Sequence, residues 1–435
     1  MKKKGSFLGM VPLIAFLLIY IGIGVYSGDF NKMPLLVGIL IASGIAIFLV
    51  GMKKDKDTTF ESTIDDYCEG AADKTLLLMV FIFILAGAFY SVANSMHAVD
   101  TVVSLGLNIL PVNLVLPGLF MIGCLLSFSM GTSMGTIAAL MPIGASIATK
   151  TGINPSLIAG IVVGGAMFGD NLSFISDTTI AATRTQEIEM KDKFISNFLI
   201  VLPAVIINLI LLLLQPVNIE NMEKATNINL VNLIPYVLII VLSLIGMNVV
   251  KVMSLGILSG IIIGVMHGDF TIIGSLEVIH TGMKWMEDGS IIAIAVGGLV
   301  ALMAKLGGID WLLNTLSKNT KSARGGELSI ALLVSLLDIA TTNNTISIIA
   351  AGPIAKDISD EFGIDRRRTA SILDVFSSAF NGLLPYGGQL IVAASLTQIT
   401  PISIMRYNYY SMLMIVFGLL SIFLGYPKFK KRGDK

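Results

Sequence analysis

The chain has 435 residues, 54% hydrophobic and only 13% charged, with a formal net charge of +0; soluble domains carry about 25% charged residues. That balance excludes an ordinary water-soluble protein and offers no basic surface for nucleic acid. Apolar runs of about 20 residues recur from end to end, each able to cross a ~30 Å hydrocarbon core, so the chain is read as an all-α polytopic membrane protein. Cys68 and Cys124 supply neither a disulfide framework nor a metal-ligand spacing.

The N-terminal "MKKKGSF" leads into an apolar run too long for the core of a signal peptide, so the first membrane helix is expected near 7–26. Helices are then expected near 34–51 and 75–96, followed by a hairpin near 113–149 with its tip at "SMGTS". A helix over 156–182 is interrupted by "GDNLSFISDTT", Gly169 to Thr179, and another lies near 194–214. After a linker at 216–230 the order repeats, with helices near 231–249, 253–267 and 290–306. A second hairpin near 327–358 has its tip at "TTNNT"; a helix over 369–397 is interrupted by "NGLLPYGGQ", and a last helix lies near 407–425.

The two halves, 1–215 and 231–435, share residues as well as order. Gly135–Gly160 aligns without gaps on Ile346–Ser371, with Pro142 on Pro353 and Gly152 on Gly363, an offset of 211. At the same offset Gly87 falls on Gly298 and Asp170 on Asn381. Five crossings per half is an odd number, so the expectation is two inverted-topology repeats of five transmembrane helices plus one re-entrant hairpin each, an arrangement common in secondary transporters. With both termini cytoplasmic in a prokaryotic plasma membrane, only Lys32, Lys150, Lys224, Lys284 and Arg406 of the 29 Lys and Arg fall outside, in accord with the positive-inside rule. Arg366–Arg368 is read as a topology determinant.

Irregular backbone survives at membrane depth only where protein or a water-filled cavity surrounds it. A hairpin tip and a broken helix both present free carbonyls, which suit a cation, and free N–H groups, which suit an anion. The hydroxyls and amides at these places also have a plain reading as helix-packing contacts. Four carboxylates fall inside the apolar spans: Asp170, Asp177, Asp338 and Asp374. An intramembrane charge costs ~2.5–3.5 kcal/mol on insertion scales and marks a functional candidate. No Lys or Arg is read at that depth, Lys191 and Lys193 being assigned to the cytoplasmic side, so a proton or bound cation is expected to neutralise the acids. Asp177 is read either as a helix N-cap or as a ligand. The cation and proton coupling set is Asp170, Asn171, Ser173, Asp177, Thr178, Asp338 and Asp374. Ser129, Thr132, Ser133, Thr342, Asn343, Asn344, Thr345, Asn381, Gly382 and Gln389 are the candidates for holding substrate or Na+ at the tips and the second break.

"GDNLSFISDTT", the "TTNNT" tip and "FNGLLPYGGQ" resemble the NhaC-type Na+/H+ antiporters of the ion transporter superfamily. The resemblance implies an elevator-type carrier, a homodimer, and Na+ and H+ as coupling ions with no further cofactor. The family motif often carries proline where this chain has Phe174.

The remaining motifs are weaker. "GTSMG", Gly131 to Gly135, matches a nucleophile elbow but lacks the strand–turn–helix context and a nearby histidine; His97, His267 and His280 fall at helix ends. No G-x-x-x-x-G-K-[ST] occurs, so ATP drive is not expected. The stripe Gly256, Gly260 and Gly264 is read as close helix packing, in a scaffold or a dimer contact. The expected function is therefore secondary active Na+/H+ antiport across the bilayer; the alternative is a Na+- or H+-coupled carrier of an amino acid or small organic acid.

Overall fold

The computed structural model describes residues 5–29, 32–52, 59–98, 101, 111–173, 176–216, 229–245, 247–317 and 322–429. Phe174, most of the 216–230 linker, and the lysines at 2–4, 53, 54, 56, 430 and 431 lie outside the described residues. Within them all regular structure is helical. The first half contains α1 (Val11–Ser27), α2 (Leu35–Gly51), α3 (Phe60–Ala71), α4 (Lys74–Ser95), α5 (Val115–Met130), α6 (Ser133–Thr151), α7 (Pro155–Leu172), α8 (Asp177–Gln186) and α9 (Met190–Leu213). The second contains α10 (Ile234–Leu244), α11 (Val249–His267), α12 (Gly274–Lys284), α13 (Glu287–Lys305), α14 (Gly308–Ser317), α15 (Ala323–Thr341), α16 (Asn344–Phe362), α17 (Arg366–Asn381), α18 (Gly388–Thr397), α19 (Pro401–Met405) and α20 (Tyr409–Leu424).

Helix ends recur at the 211-residue spacing. α6 and α16 start and stop 211 residues apart, as do α8 and α18. Both tips use one device. Gly131 and Thr342 take left-handed φ of 65° and 54°, and Thr132 and Asn343 then cap the next helix from their side chains. Gly152 and Gly363 close the far ends in the left-handed region that suits a residue without Cβ.

Four helices were not expected: α3, α12, α14 and α19. Each is too short or too polar for a search built on 20-residue apolar runs. α3 begins with a capping box in which Thr59 and Ser62 exchange side-chain and backbone bonds. The expected helix at 231–249 ends instead at Leu244, and Asn248 caps a new one from Val249. Two of the extra helices explain the paired glycines. A Cβ on Gly87 would meet the Gly282 carbonyl of α12 at 2.2 Å, and one on Gly298 would meet the Tyr67 ring of α3 at 2.5 Å.

Within the span Pro155–Gln186, made of α7 and α8, 94% of an 18-residue apolar stretch is buried, against 39% in Phe7–Ser27, Met190–Leu213 and Val249–His267. The broken helix is thus the centre of the molecule, and apolar side chains such as Leu18, Val25 and Leu258 face outward, as they would toward lipid. The hairpins α5–α6 and α15–α16 pack with α7, α8, α17, α18, α9 and α20, and α1–α4 pack with α10–α13; the two groups meet where α4 lies against α6 and α10 against α5. Gly256, Gly260 and Gly264 are spent inside the chain, against Ile239 and Phe89, Val92 and Met96, and Phe270 respectively. Backbones approach closely where α5 crosses α7. A Cβ on Gly169 would lie 2.0 Å from Ser127 Oγ and 2.3 Å from its carbonyl oxygen, while that hydroxyl donates to the Ala166 carbonyl at 2.7 Å.

Arg366–Arg368 is more than a topology signal. Arg366 pairs with Asp360 and Glu187, and Arg367 with Asp365. Lys356 and Arg366 together hold the exposed Glu187 carboxyl below its usual range. Arg368 is buried and bidentate on Glu327 at 2.5 and 2.8 Å. It also donates to the carbonyls of Pro427 and Ser421, which ties the starts of α15 and α17 to the end of α20.

Two stability outcomes are expected. Arg368→Ala strands a buried carboxylate and should cost about 3–5 kcal/mol, whereas Arg368→Met with Glu327→Leu should recover most of it; thermal unfolding of purified protein reads both. Gly169→Ala overpacks backbone and should cost about 1–3 kcal/mol, while Gly44→Ala, with nothing within 4 Å, should not lower the midpoint.

Candidate functional site

The two broken helices stop inside the protein. α7 ends at Leu172, Ser173 turns to extended backbone, and α8 restarts at Asp177 behind Ser176. Gly169 to Asn171 therefore remain helical and form the last turn before the break rather than the break itself. α17 ends at Asn381, and Gly382 to Gly387 lead to α18. A helix C-terminus leaves carbonyls without partners. Here an asparagine from the following membrane helix answers each: Asn197 Nδ2 donates to the Asn171 carbonyl at 2.8 Å, and Asn408 Nδ2 to that of Gly382 at 2.7 Å. Donors and acceptors alike are 211 residues apart. The sequence reading missed both asparagines, although their matching positions were a usable signal.

A cavity of about 320 Å3 lies where the tips meet the breaks. It is lined by Thr132, Ser133, Asp170, Asp177, Thr178, Thr342, Asn343, Asn344, Thr345 and Gln389 among the expected residues, with Ser176 added. Two bonds cross between the halves at the cavity wall. Asn344 Nδ2 on the second tip donates to Asp170 Oδ2 at 3.0 Å. Gln389 Nε2 on the second broken helix donates to Ser133 Oγ on the first tip at 3.4 Å. Thr178 Oγ1 donates to the Asp170 carbonyl at 2.9 Å, which spans the first break.

Ser129, Asn171, Ser173, Asp338, Asp374, Asn381 and Gly382 lie off the cavity wall. Ser129 is half-exposed and donates to the Leu125 carbonyl of its own helix. Asn171 sends its amide to Met167 and to the Tyr410 hydroxyl rather than into the cavity, and the Ser173 carbonyl accepts from Thr179. Gly382 is packed against Ser411 and Met167. Asp177 is not the N-cap, a position held by Ser176; it is exposed in the first helical turn, on the cavity wall. Asp338 is buried and bonded by Asn381 Nδ2 at 3.2 Å. Asp338 Oδ2, Asp374 Oδ1, Asn381 Oδ1 and Gln389 Oε1 are buried oxygens without a hydrogen-bond partner, an uncommon condition in a protein interior.

One expectation is overturned outright. Lys193 is not at the membrane surface: it is 1% exposed and pairs with Asp374 Oδ2 at 3.0 Å. Its ammonium also donates to the carbonyls of Asp170 at 3.3 Å and Asn171 at 2.8 Å, and to Thr179 Oγ1 at 2.6 Å. Asn197 Nδ2 completes the shell on the same Asp374 oxygen at 2.6 Å. A four-carbon stem carries the charge inward from a polar helix end, which a count of charges along the chain cannot register. Asp374 is thus neutralised by a lysine, and among the described residues Asp170 and Asp338 are the buried acids without such a partner.

The model of the Na+/H+ antiporter family matches residues 5–214 and again 213–426. The malate-2H(+)/Na(+)-lactate antiporter of Bacillus subtilis is 25% identical over 385 residues, spanning 80% of this chain and 82% of that protein. The Na(+)/H(+) antiporter NhaC of Alkalihalophilus pseudofirmus is 25% identical over 385 residues with the same coverage of 80% and 82%. The solved YdaH transporter of Alcanivorax borkumensis superposes with a TM-score of 0.39 at 13% identity, covering 97% of this chain and 99% of that one. With its apolar helices, its absence of strands among the described residues and a family match across nearly its whole length, the chain belongs to the Na+/H+ antiporter family.

Proposed function

We propose that this secondary active Na+/H+ antiporter takes its ions in turn at the cavity between the hairpin tips and the broken helices, with Asp170 as the carboxylate that meets them. The carrying observation is convergence. Both tips, the first break and Gln389 from the second line one cavity, and Asp170 is the buried acid on its wall. A carboxylate there binds a cation or a proton but not both, which is the minimal logic of exchange. Asp177 and the hydroxyls of Thr132, Ser133, Thr178, Thr342 and Thr345 supply further oxygen donors for Na+.

The same reading takes the halves as inverted repeats with both termini cytoplasmic, moving by an elevator step in a homodimer. Support comes from the 211-residue spacing of the helix ends, the odd number of crossings per half and the distribution of Lys and Arg. The group of hairpins and broken helices beside the second group of α1–α4 and α10–α13 suits a moving part and a fixed one.

A second reading adds an organic acid. The cavity is roomier than a bare ion needs, and α6, α8 and α16 begin at its wall with N–H groups that favour an anion. A malate-2H(+)/Na(+)-lactate antiporter is among the relatives.

Reconstitution in vesicles tests both. Wild-type protein should drive radiolabelled Na+ uptake from a pH gradient with no organic solute present; a strict need for malate, lactate or an amino acid would favour the second reading. Asp170→Asn should lower the driven uptake by about 10- to 100-fold, the range of a ~1–3 kcal/mol coupling term. Wild-type flux in that variant would remove Asp170 from the site.

A further inference from the structure

A buried polar atom without a partner is costly, and each one in a native fold asks for a reason. Among the described residues, one such atom belongs to the cavity wall. Gln389 is 7% exposed and lines the cavity, and its amide oxygen Oε1 is buried with no hydrogen-bond partner. The unpartnered oxygens of Asn171, Asp338, Asp374 and Asn381 belong to residues off the wall.

The neighbouring bonds fix which end of the amide is left over. Ser133 has one hydroxyl proton, and it goes to the Asp170 carboxylate. The serine oxygen can then only accept, and it accepts from Gln389 Nε2 at 3.4 Å. The NH2 end of the amide is thus turned to the first tip, and Oε1 is the end without work. Three side chains, Gln389, Ser133 and Asp170, run in a chain from the second broken helix through the first tip to the first broken helix.

The other repeat shows what this position does when only structure is asked of it. At the 211-residue spacing Gln389 corresponds to Thr178. Each is the second residue of its restarted helix, α18 or α8, and both line the cavity. Thr178 gives its hydroxyl to the Asp170 carbonyl and so closes its own break. Gln389 reaches out of its own break, where Asn408 already answers the Gly382 carbonyl, and crosses to the opposite half. Its extra length and its spare oxygen are therefore not needed to close a helix end.

We propose that Gln389 is the residue that separates Na+ from the proton: its amide oxygen joins the Asp170 carboxylate in holding Na+, so that both halves grip the ion, and it takes no part in holding the proton. The proposal rests on Asp170 being the cavity carboxylate. A proton is satisfied by one carboxylate oxygen, whereas a small hard cation that sheds water needs several oxygens in its place. When two ions share one carboxylate, the neutral oxygens around it are what tell them apart. Gln389 offers one that is already out of water and unpartnered, so Na+ breaks no existing bond to use it. Asp170 and Asp177 are the titratable groups on the described wall, and an amide adds none.

The experiment uses full-length protein with two readouts: the KM for Na+ in vesicles at two pH values, and the thermal midpoint of purified protein titrated with NaCl against choline chloride. Gln389→Met keeps the volume and removes the oxygen. Its KM for Na+ should rise about tenfold, by the same factor at both pH values, with the maximal rate near wild type. The NaCl needed to raise the midpoint should grow by that factor too, while the midpoint without Na+ should not fall, because an unpartnered acceptor has gone. Gln389→Thr, the residue of the first repeat, should behave alike. Gln389→Glu restores an oxygen and adds a proton site, so its Na+ affinity should recover and its KM ratio to wild type should change with pH. A wild-type KM for Na+ in Gln389→Met would overturn the assignment, as would a rise whose size depends on pH, the mark of a residue that only positions Asp170. A change in the KM for malate or lactate in place of Na+ would overturn it as well. Asp170→Asn run alongside separates the failures. If Asp170→Asn keeps the wild-type response of the midpoint to NaCl, the cavity assignment falls and this one with it; if it loses that response while Gln389→Met keeps it, only the role of Gln389 falls.

Discussion

Two helices stop in the interior of this protein, and the carbonyl groups they leave open have no water to turn to. Everything around the site answers that shortage. Asn197 and Asn408 reach in from neighbouring helices to the Asn171 and Gly382 carbonyls. Side chains cross from the opposite half, Asn344 of the second tip to Asp170 and Gln389 of the second broken helix to Ser133. Central burial follows from the same constraint, because a chain with exposed peptide groups is tolerated at depth only when protein encloses it. The packing that encloses it is tight enough for Gly169 to be pressed onto the backbone of Ser127.

The halves solve the shortage alike in backbone and unlike in charge. Both keep the left-handed tip residue, the capping side chain after it, the restart of the helix and the asparagine clamp. Only the first places its ammonium, Lys193, against the helix end; its Asp374 partner comes from the second half. The frame is alike in the two halves, and the buried Lys193–Asp374 pair stands at the first break.

Local signals were readable where one residue type suffices. The polar tips and the interruptions at 169–179 and 381–389 showed in composition and spacing, and Gly152 and Gly363, which take left-handed φ, were paired by the repeat. Asp170 was singled out correctly as a buried acid, because a carboxylate in an apolar run needs a reason. Asn171 was grouped with it, and Ser129 with the first tip, by proximity in the chain, yet a helix turns neighbouring side chains to different faces, and neither lines the cavity. The short helices α3 and α12 escaped notice, although the glycines they rest on, Gly87 and Gly298, were already paired by the repeat.

By itself the sequence determined a membrane-spanning all-α chain, its internal 211-residue spacing, the places where helices break and the family resemblance, because hydropathy, glycine and proline act over a few residues. Tertiary structure alone decided which acids face the cavity and which are answered by protein. Lys193 and Asp374 lie 181 positions apart, and neither the helical period nor the charge balance of a segment says that they touch. The physical reason is that depth in a bundle belongs to the packed side chain rather than to its place along the helix: a lysine at a polar helix start can lie on the surface or reach the centre, and its partners make the difference.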